Sequence, residues 1–273
     1  LSDEVRHTLF KHLKKDFYQF LALETNLSRL MAAVNDKKIE VRRACVKLLG
    51  KLAGYNSSFI LPCLTQLLSQ YLSELQLSGR FKHQQDAAIL LRAIIKNTKQ
   101  LLCPNLPSII EIFIQIMKNS SHAPLIYQAL RGISACASVG KKHLVPHFDE
   151  VFPYLIENLK DPSMLKRKGA LLAILDVVFH STKAIEPYLR YNSLLETLLE
   201  VIKSEERITI RKLAEKTLGT LGALRPVKYK ELEKSLHSGL KPHKHSSVDT
   251  HLRELHKKSL ELTPSHSIYY PLV

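Results

Sequence analysis

The chain has 273 residues, 45% of them hydrophobic, and carries 40 basic against 25 acidic side chains for a formal net charge of +15. That hydrophobic share supports a continuous core, and nine glycines, no tryptophan and little two-residue alternation argue for an all-α protein. The sequence has no secretory leader pattern and no run of about eighteen apolar residues, so a secreted or membrane-spanning segment is not expected.

The positive charge invites an acidic partner or a nucleic acid. The basic residues are nevertheless spread along the chain, in runs no longer than Lys166-Arg167-Lys168. A phosphate-binding face would concentrate them in a stripe interleaved with aromatics. They read as solvated helix faces, with an acidic partner as the next reading and no specific nucleic acid expected. The cysteines Cys45, Cys63, Cys103 and Cys136 stand singly in apolar helical stretches, and read as buried thiols of a reducing compartment.

In chain order, residues 1 to about 34 predict one or two helices, with Phe10, Leu13, Phe17 and Phe20 on one face. Asn35-Asp36 then breaks the pattern and caps a helix whose core stripe is Val41, Ala44, Cys45, Leu48 and Leu52. Gly54 ends that helix, and Ser57-Ser58 cap the next. From here a period of about 42 residues takes over. Pro62, Pro104, Pro146 and Pro187 lie 42, 42 and 41 residues apart. Small residues recur at Ala44, Ala87, Ala129, Ala170 and Ala214, and turn residues at Asp36, Gly79, Asn119, Asp161 and Ser204. An acid precedes an arginine by six positions in Asp36 with Arg42, Asp161 with Arg167, and Glu205 with Arg211.

A repeat of this length in helical sequence is the mark of an α-solenoid of stacked helical pairs, here about five. Each proline is expected in the first turn of an outer helix, where its missing N–H costs little. The outer helices are predicted over 59–75, about 100–117, about 144–159 and 184–202. Each alanine is expected at the middle of an inner helix, where a small side chain permits close packing. The acid is expected to cap the inner helix, and the arginine to reach the corresponding turn of the neighbouring repeat.

The solenoid is assigned to 1–226. Residues 227–265 break the period with lysines and the histidines His237, His243, His245, His251 and His256, which read as a partly disordered basic linker or insertion. Residues 266–273 read as the start of a further, truncated repeat. Leu1-Ser2-Asp3-Glu4 resembles mid-protein sequence, so a longer parent is expected. The histidine spacing matches no defined metal site. The chain lacks a glycine-rich phosphate loop, a GxSxG elbow, an HExxH pair and a kinase catalytic signature. No catalytic, cofactor-binding or metal-ligating residue is assigned.

Particular blocks narrow the solenoid. Leu218-Gly219-Thr220-Leu221-Gly222-Ala223-Leu224-Arg225-Pro226-Val227-Lys228-Tyr229-Lys230 resembles a signature of the N-terminal HEAT-repeat region of the target-of-rapamycin (TOR) serine/threonine-protein kinases, of the phosphatidylinositol-kinase-related class. Ala33-Val34-Asn35-Asp36 with Ile39-Glu40-Val41-Arg42, then Ser73 to Gly79, then Ile185-Glu186-Pro187-Tyr188 through Leu194-Leu195-Glu196 are similar to the same region in the same order. Tyr269-Tyr270-Pro271 resembles that family's restart after a variable insertion. Arg225 stands where the family tends to be acidic, and Asn192 where proline is common. The resemblance implies a scaffold arm that docks a raptor-like regulatory subunit and a second copy of the kinase in nutrient and growth signalling. It implies a cytoplasmic protein, peripheral at endomembranes within a TOR complex, with the nucleus as a further compartment. ATP and Mg²⁺ would serve the parent kinase and not this segment. The alternatives are a free-standing HEAT adaptor or karyopherin-like carrier, and a basic module for nucleic acid or anionic lipid.

Overall fold

A computed structural model describes residues 2–222, apart from 99–103, 181–186, 188, 189 and 192. The expected linker at 227–265, the expected repeat start at 266–273 and Cys103 lie outside the described residues. The described residues contain helices and no strand.

The first thirty-odd residues do not make the one-faced helical stretch that their phenylalanine spacing predicts. They form α1 (Asp3–His12), a 3₁₀ turn (Lys15–Phe17), α2 (Tyr18–Leu21), α3 (Glu24–Ala32) and a second 3₁₀ turn (Ala33–Asn35). Leu13 and Leu23, each in extended conformation beside a helix end, break the register. Phe10 and Leu13 pack against the core, whereas Phe17 and Phe20 are exposed.

Helical pairs follow. α4 (Ile39–Leu52) leads to α5 (Ser57–Leu77) and α6 (Phe81–Asn97), then α7 (Leu106–Asn119) and α8 (Ala123–Gly140). A 3₁₀ stretch (Lys141–His147) precedes α9 (Phe148–Leu159) and α10 (Met164–His180), and α11 (Ser193–Ser204) pairs with α12 (Ile208–Gly222). The inner helices α4, α6, α8, α10 and α12 stack on one another in that order, and each outer helix packs on the inner helix that follows it. With α2–α3 as the outer layer before α4, the described residues form an α-solenoid of five helical pairs.

Local chemistry explains the boundaries. Asn56, and not the serines after it, caps α5: its carboxamide oxygen accepts the Phe59 N–H at 3.3 Å while its amide donates to the Ala22 carbonyl at 2.8 Å. Asp36 accepts the Lys38 N–H at 3.0 Å, a turn bond two residues ahead of α4 and not a cap on it. The outer helix α7 buries Leu106, Ile109, Ile110, Ile112, Phe113, Ile114 and Met117, and each such side chain gains about 2 kcal/mol on leaving water.

The prolines keep their sequence beat without sharing one helical position. Pro62 is the sixth residue of α5, Pro104 lies in the turn before α7, and Pro146 lies in the 3₁₀ stretch before α9. Pro187 is helical and buried, and the chain leaves helix at Tyr191 before α11 begins, so 184–202 is not one helix. Glycine supplies close approach that the alanine beat does not describe. A Cβ on Gly132 would enter the ring of Phe113 across the α7–α8 pair, and one on Gly50 would meet the Asn97 Cβ at 2.6 Å between α4 and α6.

Candidate protein-interaction surface

The recurring alanines lie one on each inner helix. Ala87, Ala129, Ala170 and Ala214 are fully buried and Ala44 nearly so. Polar links run alongside them and join each repeat to the next. Arg6 pairs with Asp36 at 2.8 Å, and Arg42 of α4 pairs with Asp86 of α6 at 2.8 Å. Arg92 of α6 donates to the Gln128 carboxamide of α8 at 3.2 Å. Ser134 of α8 donates to Asp176 of α10, with the Arg131 guanidinium 3.6 Å from the same carboxylate. Arg167 of α10 pairs with Glu205 of the next turn at 2.7 Å. It also donates to the carbonyls of Asp161 and Pro162, at 3.0 and 2.8 Å.

These placements refine the acid-to-arginine pattern. Arg167 reaches the turn of the following repeat at Glu205, whereas Arg42 reaches past the Gly79 turn to Asp86, inside α6. Glu205 itself accepts the Arg207 N–H at 3.2 Å ahead of α12, and Arg211 is half-buried on α12. Asp161 accepts the Ser163 N–H at 2.8 Å and a bond from Lys166 at 2.8 Å. Two junctions escaped the sequence pattern, Arg92 with Gln128 and Arg131 with Asp176, because their turns at Gly79 and Asn119 hold no acid. The first carried a signal of another kind, since Gln128 directly precedes the recurring Ala129 as Asp86 precedes Ala87, whereas nothing comparable marks Asp176.

Electrostatics follow from this placement. The Lys38 N–H, with Arg6 and Arg42 nearby, outweighs burial and holds the Asp36 carboxyl below its ordinary value. Burial raises the Asp161 carboxyl, but the bonds from Lys166 and Ser163 and the charges of Lys166 and Arg167 win, and the net shift is downward. Burial pushes the thiols of Cys45 and Cys136 up to about 12 and makes them inert at neutral pH. A 380 Å³ crevice opens between the turns of the last two described pairs, lined by Asp161, Arg167, Glu200 and Glu205 among others. Asp161, Arg167 and Glu205 are already engaged, with Lys166, Glu205 and Arg167, and among the described residues no cluster of three or more metal-ligating side chains occurs. Among the described residues the arrangement offers a long, repeat-built surface.

Comparison with known proteins agrees with the blocks found in the sequence. Residues 184–273 match the family described as "Serine/threonine-protein kinase mTOR domain". A target of rapamycin homolog of Caenorhabditis elegans is 32% identical over 231 residues, covering 84% of this chain and 9% of that protein. The serine/threonine-protein kinase TOR2 of Saccharomyces cerevisiae is 28% identical over 273 residues, covering 99% of this chain and 11% of that protein. The chain thus spans about a tenth of the length of these curated relatives. Among solved structures, Kap121p is similar with a TM-score of 0.60 at 16% identity, over 94% of this chain and 24% of that one. A designed armadillo repeat protein in complex with the peptide (KR)4 has a TM-score of 0.56 at 16% identity, over 80% and 90%. At such identity these two show the solenoid fold alone. The sequence relatives decide between the solenoids: this chain belongs to the target-of-rapamycin serine/threonine-protein kinase family, as a segment of its HEAT-repeat region.

Proposed function

We propose that this segment is a scaffold of a TOR kinase complex, a rigid stack of repeats on which a raptor-like regulatory subunit docks and against which a second copy of the kinase assembles. The observation that carries the reading is the polar link at each junction from α1 to α12. Such links tie neighbouring repeats into one body, which is what a docking arm needs and a catalytic domain does not. Family membership supplies the class of partner. In this reading ATP and Mg²⁺ chemistry belongs to another part of the parent kinase, and the complex works in the cytoplasm or at the surface of endomembranes. No helix among the described residues is long and apolar enough to cross a membrane, so attachment there would come through partners.

Light scattering on size-exclusion fractions tests this directly. The purified chain mixed with a purified raptor-like subunit is expected to elute as a stoichiometric complex. Separate elution of the two, with the chain itself monomeric, would overturn the docking and assembly roles together.

A further inference from the structure

The inner-helix stack carries a group of cations that outnumbers the carboxylates facing it. Arg43 and Lys47 lie four residues apart on α4, and Arg92 and Lys96 lie four apart on α6, the helix packed beside it. Arg131 continues the row on α8. Residues at this spacing share one helix face, so the five side chains form a patch across three adjacent inner helices. Among the described residues Arg43, Lys47 and Lys96 have no carboxylate within ion-pair distance, and Arg92 bonds only the neutral Gln128. The acid that faces the patch is Asp176 on α10, already engaged by Ser134 and Arg131. The phenol of Tyr127 lies near Arg92.

The cations act on one another. Burial first, and then repulsion from Arg43, Arg92 and their neighbours, lowers Lys47; burial with Arg131, Arg92 and Arg43 lowers Lys96. Arg92 falls to about 10 through burial and the charges of Arg43 and Arg131, and still remains charged at neutral pH. Like charges held this close on one helix face oppose folding. A row that destabilises the fold is a candidate for an anionic partner whose binding removes the repulsion.

We propose that this row on α4, α6 and α8 is the binding site for an acidic peptide segment of a partner protein, lying extended across the inner helices. Geometry favours a slender occupant. Inner helices at about 9 Å spacing make the patch roughly 20 Å long, the span of about six extended residues. Arg43, Lys47, Arg92 and Arg131 are half-buried, recessed enough for single carboxylates and poorly placed to follow a duplex or meet a flat bilayer. Arg43 can take a carboxylate bidentately, while Arg92, which donates to Gln128, and Arg131, which donates to Ser134 beside Asp176, offer their remaining N–H groups. The proposal rests on the scaffold reading for the partner being a protein, and it adds the chemistry of that partner and the residues that take it.

Fluorescence anisotropy of a labelled oligoglutamate peptide against the full 273-residue chain is the test. Binding is expected, weakening as salt rises. Lys47→Glu with Lys96→Glu is expected to lower affinity at least about tenfold for each reversal. Reversing two exposed lysines of α12, Lys212→Glu with Lys216→Glu, is expected to change it little. The milder Lys47→Gln with Lys96→Gln pair guards against misfolding, and should lose peptide affinity while its melting temperature rises. Three results overturn the site: no peptide binding at low salt, an equal loss in the α12 pair, or tighter patch-dependent binding of duplex DNA or phosphatidylserine vesicles. Co-elution with the raptor-like subunit is scored separately, so the patch can fail while the scaffold reading stands.

Discussion

The inner and outer layers of the solenoid use ion pairs at nearly the same sequence separation to opposite effect. Arg167 and Glu205 lie 38 residues apart on the inner side, and the Glu205 side chain is only 3% exposed. On the outer side Asp149 pairs with Arg190, 41 residues away, but their side chains remain 57% and 47% exposed. An exposed pair is screened by water and contributes about 0–1 kcal/mol. A buried one contributes little net, yet breaking it strands a charge at a cost of about 3–5 kcal/mol. The inner layer therefore carries the penalty for mispairing and holds the repeats in register, while the outer layer tolerates change.

The sharpest way to break this contrast is to overfill the inner layer. Ala170 is fully buried on α10, so Ala170→Arg is expected to cost about 5 kcal/mol through overpacking and an unpaired charge. Ala214→Arg should act the same way. Chemical denaturation reads both, and an unchanged midpoint would show that these alanines do not lie at the helix contacts.

Next in size is the buried ion pair. Glu205→Ala leaves Arg167 with carbonyl partners only, and about 3 kcal/mol of stability should disappear. A loss under about 1 kcal/mol would place the inner pair in the same class as the outer ones.

Acid should dissect the layers too. The folded-state carboxyl of Asp36 lies below its ordinary 3.8, so its contribution is fully present above that pH and lost as the pH falls through the lower, folded value. The stability difference between the protein and Asp36→Asn should therefore be constant at neutral pH and shrink below about 4. A difference that grows on acidification would reverse the assignment. The smallest effect belongs to the outer pair of Lys118 and Glu150, 3.9 Å apart and exposed. Glu150→Gln should move stability by no more than about 0.5 kcal/mol.

Much of this architecture was legible in the residues because a solenoid is close to one-dimensional. Each unit contacts only its neighbours, so a spacing in sequence becomes a spacing along the stack. The alanines show it, landing one per inner helix from Ala44 to Ala214. The first helices were misread for a related reason. Phe10, Leu13, Phe17 and Phe20 keep helical spacing, but no earlier repeat among the described residues imposes a register on them, and extended residues at Leu13 and Leu23 turn the chain. The prolines kept their period while changing helical position: Pro104 and Pro146 lie ahead of their helices, where a missing N–H costs little, whereas Pro62 lies inside α5, where it gives up the bond to the Ser58 carbonyl.

The interaction surface was less legible. A net charge of +15 reads as dispersed when lysines and arginines are scanned along the chain. Arg43, Lys47, Arg92, Lys96 and Arg131 lie up to 88 residues apart and never form a run. Only the stacking of α4, α6 and α8 brings them together.

The sequence by itself determined the helical class, the period and the family, because each depends on residues near in sequence or on ordered blocks of them. The tertiary structure alone decided which arginine meets which acid, and which cations are left facing one another. Those outcomes depend on the offset between stacked inner helices, set by side-chain packing such as that at Gly50 and Asn97. That offset appears in no single repeat.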